Sequence, residues 1–272
     1  MSDAAIEFVL RRDRVIVASA LFLLVALAWT YILWLAAGMD MGDMDMSGSR
    51  MIPTGMALMM PAIAPWNATD FAFVFAMWAV MMVGMMTPSA TPMILIYARV
   101  GRQAAQQGKP FASSFWFASG YLLAWIGFAL VATFAQWALE RESLLTPTMA
   151  TGSAVLGGVV LIVAGLYQWP PLKDACLRQC QMPLQFIPHH GGFRPSAFGS
   201  LALGARHGVY CIGCCWVLMA LLFVGGVMNV LWITTLTIFV LVEKLMPAGR
   251  VVSRVVGAAF FVGGIWMLAH TF

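Results

Sequence analysis

The chain has 272 residues, of which 62% are hydrophobic and only 10% charged, with a formal net charge of +4. A soluble domain runs at roughly 45–50% apolar and about 25% charged, so composition excludes an ordinary soluble domain. The expected surroundings are a lipid bilayer, and no nucleic acid is expected as a partner.

The sequence "RRDR" precedes an apolar run from Val15 to Ala37. That run exceeds the roughly 7–15 residues of a signal-peptide core, so it reads as a retained first helix, although "LAAG" mimics a cleavage site. A span needs about 20 mainly apolar residues. Seven segments fit: 14–37, 71–98, 113–138, 149–169, 205–227, 229–246 and 252–270. The expected fold is all-α, a polytopic transmembrane helix bundle of about seven spans. It divides into an N-terminal segment with the first span (1–37), a Met/Asp-rich loop (38–70) and a bundle (71–272). Placing the N-terminus in the cytoplasm puts 13 of the 15 lysines and arginines inside, as the positive-inside rule asks. Only Arg50 and Arg141 fall outside, and the C-terminus is then periplasmic. No internal repeat is present, and the glycines of "GSAVLGGVVLIVAG" and "GAAFFVGG" suit close helix packing.

Methionine is clustered as well as frequent: 14 of the 21 lie between Met39 and Met93. In the periplasmic loop, "GMDMGDMDM" alternates Met39, Met41, Met44 and Met46 with Asp40, Asp43 and Asp45. Thioethers are soft ligands that select Cu(I), and carboxylates attract cations, so the loop reads as a low-affinity collector or, alternatively, as a flexible tether. Beyond it come Pro53, Pro61 and Pro65, with an interfacial helix expected at 54–60. The second span reads "MWAVMMVGMMTPSATPM". Met77, Met81 and Met85 fall within an arc of roughly 80°, flanked by Met82 and Met86. The stripe suits a soft metal; packing is the alternative role. Pro88 and Pro92 free backbone carbonyls, so this half is expected to face protein.

The internal loop 170–204 carries Cys176 and Cys180. If helical, these two can pass on a metal or pair as a redox switch; two ordinary reduced thiols are the alternative. His189 and His190 lie in a Pro/Gly-rich turn and read as solvated loop histidines. The fifth span holds "RHGVYCIGCCW". His207, Cys211, Cys214 and Cys215 share one sector of a helix, with Met219 a turn further. One imidazole and three thiols within two turns suffice for a soft-metal site, although buried cysteine also serves as a small apolar filler. With the second span ending near Ala98 and the fifth starting near Ala205, Met86 and Cys214 lie at similar depth, so the two spans can share one site. Asn229 is placed to cap the sixth span. Near that span's inner end, Glu243 is a candidate because intramembrane carboxylates are functional by default; an interfacial position is the alternative. No nucleotide loop, Ser-His-Asp arrangement or metalloprotease pair is present.

Taken in order, "MWAVMMVGMMTPSATPM", "GLYQWPPLKDACLRQC", "HGVYCIGCCWVLM", "GGVMNVLW" and "LVEKLMPAG" resemble a bacterial family of predicted metal-binding integral membrane proteins of unknown function. The resemblance covers about residues 70 to 270. It implies membrane location and metal binding, with copper handling the usual suggestion. The leading expectation is therefore an inner-membrane protein that binds copper ion and acquires, transports or delivers it. A copper donor or acceptor protein and a second copy of the chain are the expected partners. A membrane oxidoreductase using a bound metal or the Cys211–Cys214 dithiol, and a structural accessory subunit, are the alternatives.

Overall fold

The computed structural model describes residues 3–39, 49–53, 57–61, 65–108, 113–192 and 195–271. Among these, ten helices and one short hairpin occur in the order α1 (Asp3–Met39), β1 (Ser49–Pro53), β2 (Ala57–Pro61), α2 (Ala68–Gln106), α3 (Ser114–Arg141), α4 (Ala154–Tyr167), α5 (Pro171–Gln181), α6 (Pro183–His189), α7 (Ala197–Ala220), α8 (Leu222–Gly225), α9 (Val230–Leu245) and α10 (Gly249–Ala269).

Five segments are long and apolar enough to cross a membrane: α1 from Val15, α2, α3, α7 running on into α8, and α10. The fourth and sixth of the expected spans are shorter than the sequence suggests. Helix α4 has 14 residues and passes the same test only together with α5, from which it is bent by 68°. Pro171 opens α5, and a proline cannot donate the next helical hydrogen bond, so the axis turns there. Helix α9 has 16 residues. Its start is fixed by Asn229, whose side chain accepts from the Trp232 amide at 3.2 Å in the expected capping role; Pro247 follows its end.

Of the helix expected at 54–60, residues 57–60 are described, and they belong to strand β2; residues 54–56 lie outside the described residues. Strand β2 pairs antiparallel with β1, Arg50 opposite Met60 and Ile52 opposite Leu58. The facing strand satisfies the backbone of residues 57–61 instead of a helical turn.

Helix α3 packs most extensively on α7, α10 on α4, and α1 and α3 on α2. Glycine makes the closest approaches possible. A Cβ on Gly204 of α7 would overlap the Phe117 carbonyl of α3, and one on Gly165 of α4 would lie 2.6 Å from the Gly257 carbonyl of α10. Small residues are what allow helix backbones to meet this closely. Helices α2 and α7 each extend about two turns beyond the limits expected from sequence. They make little direct contact with each other, and α3 packs on both.

In α2, Pro88 and Pro92 sit inside a continuous helix. Hydroxyls bond back to the chain around them: Thr87 to the Val83 carbonyl at 2.6 Å, Ser89 to Met86 at 2.8 Å and Thr91 to Thr87 at 3.0 Å. This half faces protein, as the prolines predicted: Met85, Met86, Ala90, Met93, Ile94 and Tyr97 are all buried.

The α3–α7 contact gives a direct test. Gly204→Leu is expected to eliminate the monodisperse folded species on size-exclusion chromatography in detergent. Gly127→Leu, at a position where an added Cβ meets nothing within 4 Å, should elute as wild type.

Candidate metal centre

Helix α7 begins at Ser196, whose hydroxyl accepts from the Gly199 amide at 3.1 Å. Its buried face carries His207, Cys211, Cys214, Cys215 and Met219, each no more than 2% exposed. Cys211 is the junction. From α9, the Lys244 ammonium donates to the Cys211 sulfur at 2.8 Å, and lies 3.8 Å from the Cys215 sulfur and 3.4 Å from the Ser89 hydroxyl of α2. From α3, the Tyr121 hydroxyl stands 3.1 Å from the Cys211 sulfur and donates to the Met86 carbonyl at 3.1 Å. From α5, Cys180 comes near Cys211 and Cys214. Cys176 lies against Gly213, where an added Cβ would be 3.0 Å from its sulfur. Two of these thiols thus meet one ammonium, with Cys214 and Cys180 close by.

The thiols of Cys214 and Cys215 both donate to the Cys211 carbonyl, at 3.1 and 2.9 Å. Among the described residues, no group of three or more His, Cys, Asp or Glu side chains stands converged as a metal site. These hydrogen bonds are one reason, because a ligating thiol must lose its proton and turn its sulfur away from the carbonyl. The donor set itself, three or four sulfurs with one imidazole, is of the soft kind that suits Cu(I). His207 fits the same picture. It is buried among Phe117, Tyr121 and Phe186, at centroid distances of 6.0, 5.7 and 5.0 Å, and its Nδ1 has no hydrogen-bond partner among the described residues. A buried nitrogen left unpaired costs about 1–3 kcal/mol and needs an explanation.

The other residues singled out from sequence are placed as follows. Met81, Met82, Met85 and Met86 are fully buried on α2, and Met86 reaches the centre through its backbone carbonyl. Glu243 belongs to a different network. Its carboxylate pairs with Lys173 at 2.6 Å, both side chains being almost wholly buried, and Ser253 stands 2.9 Å from the same oxygen. Lys173 also donates to Gln168, whose Oε1 lies 3.0 Å from the Ser253 hydroxyl. Successive helical residues point about 100° apart, so Glu243 turns to α5 and α10 while Lys244 turns to the thiols. Met39 ends α1, and Met41, Met44, Met46, Asp40, Asp43 and Asp45 lie outside the described residues. His190 is not a freely solvated loop residue. Helix α6 docks Phe186 into the core, and His190 packs on that ring at 4.4 Å and on Tyr210 at 5.5 Å.

Tyr121, Ser89, Lys173 and Gln168 escaped the sequence reading. Lys244 was visible only as a neighbour of Glu243, although a lysine in the last turn of an apolar helix was itself a signal.

A family model described as PpoB2: Copper chaperone matches residues 75–267, a range that takes in the methionine stripe and every side chain of the centre. No curated protein and no solved structure matches the chain.

The buried ion pair generates a sharp expectation. Lys173→Met leaves the Glu243 carboxylate buried and unpaired, so it should lower unfolding free energy in detergent by about 3–5 kcal/mol, whereas the Lys173→Met/Glu243→Leu double variant should recover most of that loss. Equal unfolding midpoints for the wild type and Lys173→Met would refute it.

Proposed function

The chain belongs to the PpoB2 copper chaperone family, and we propose that it is an inner-membrane protein that binds Cu(I) at the α7 thiols and delivers it to a partner. The single observation that carries this reading is the contact of Lys244 with the Cys211 and Cys215 sulfurs, with Cys214 and Cys180 close by. A Cu(I) ion held by two or more thiolates is a net anion. Burying such a complex needs a compensating cation, and Lys244 is one already in contact with two of the sulfurs. His207 completes a set of soft and borderline donors.

On this reading the long apolar helices lie in the membrane with α5 and α6 on the cytoplasmic side. The Met/Asp-rich segment 38–70 collects the ion at the periplasmic face, and the stripe of Met81, Met82, Met85 and Met86 marks its way inward. Tyr121 and Lys244 link that stripe to the thiols, since each touches both α2 and Cys211.

A second reading, thiol redox chemistry, is favoured by the contact of Cys180 with Cys211 and Cys214 across two helices. It predicts a reversible two-thiol titration without bound metal.

Copper analysis of purified protein separates the two. The Cys211→Ser/Cys214→Ser/Cys215→Ser variant is expected to lose Cu(I) that the wild type retains, and copper content equal to wild type would sink the assignment. Cys180→Ser should weaken Cu(I) binding by about 10–100-fold, the range seen when an element of a metal site is removed. Cys176→Ser should leave affinity within about twofold. Deleting residues 39–46 should slow loading yet leave the stoichiometry at the thiols unchanged.

A further inference from the structure

The buried thiols lie away from solvent, and the side chains lining the approach from the α6 end form a series. His190, half-buried beside the end of α6, packs on Phe186; Phe186, wholly buried, packs on His207; His207 lies one helical turn before Cys211. The Phe186 ring therefore stands between two imidazoles, 4.4 Å from one centroid and 5.0 Å from the other.

The hydrogen bonds of His190 fix its tautomer. Its Nδ1 lies 2.8 Å from the Phe186 carbonyl. A carbonyl only accepts, so Nδ1 carries the hydrogen. Nε2 then holds the lone pair, with the Tyr210 hydroxyl 3.4 Å away as a weak donor. A histidine that donates one ring nitrogen to a backbone carbonyl and presents the other as a lone pair is the arrangement found at metal-ligating histidines. A cleft of about 150 Å³ opens beside it, lined by His190, Phe198, Gly199, Ala202, Leu203 and Arg206. At the buried end, the Nδ1 of His207 has no partner among the described residues.

We propose that His190 and His207, separated by the Phe186 ring, form the transfer route by which a soft monovalent ion passes between the cleft at the α6 end and the buried thiols. His190 is the outer ligand, His207 the inner one, and Phe186 the barrier that must swing aside for each exchange. Only ligand exchange is involved, with no change in oxidation state. The inference rests on the copper reading above and adds to it the side and the ligands of transfer.

The test loads full-length protein in detergent with Cu(I) and follows its removal by bathocuproine disulfonate in a stopped-flow spectrometer, after stoichiometry has been measured at equilibrium. His190→Ala is expected to keep wild-type stoichiometry and to release Cu(I) about tenfold more slowly, as loss of a metal ligand implies. His190→Cys, which restores a soft ligand, should return most of the rate. Phe186→Leu, chosen because it keeps an apolar side chain in the core, should release faster than wild type. Release from His190→Ala at the wild-type rate, with copper fully bound at the start, overturns the route while leaving the copper reading intact. Wild-type protein that binds no Cu(I) overturns both.

Discussion

The architecture of the centre depends on a single sulfur atom. Cys211 Sγ meets an ammonium from α9, a hydroxyl from α3 and a thiol from α5, while its own helix supplies two more thiols and a histidine. A buried ammonium is tolerable only where polar or anionic partners surround it, so four helices must hold their side chains on one point at once. The packing follows from that demand. Glycine at Gly204 lets α3 come near enough for Tyr121 to reach Cys211, and the same tyrosine donates to a carbonyl of the proline-containing α2.

The neighbouring residues Glu243 and Lys244 divide two tasks between them. The carboxylate anchors α5 and α10 to the end of α9 through Lys173, Ser253 and Gln168, and the ammonium joins the thiols. Helix α5 is thereby pinned at Lys173, about two turns before Cys180. The ion pair thus acts on the centre indirectly, by fixing the start of the helix that carries Cys180.

In this arrangement Cys214 and Cys215 spend their hydrogens on a carbonyl of their own helix. On the proposed copper reading, taking up an ion would turn these side chains away from that carbonyl. On the same reading, the carbonyl hydrogen bonds would recover part of what is lost when the ion leaves.

Much of this was legible in the chain. Composition and span length dictated a helical bundle, because a bilayer leaves backbone groups no other partner. The 3.6-residue period put His207, Cys211, Cys214 and Cys215 on one face, and the prolines of α2 marked a protein-facing half. These are local properties, fixed by covalent spacing. What the sequence alone left undetermined was which helices touch. Similar depth allowed the methionine stripe and the thiols to share one site if α2 and α7 touched; the two helices make little direct contact, and Tyr121 of α3 reaches both. Nor does periodicity tell which of two adjacent charges faces the thiols, or that a histidine after "FIP" is packed and not solvated. Those outcomes depend on contacts between residues far apart in the chain, such as Cys180 with Cys211 and Lys244 with Cys211. Only the close packing of whole helices, set by glycine contacts and by the need to pair every buried charge, decides them.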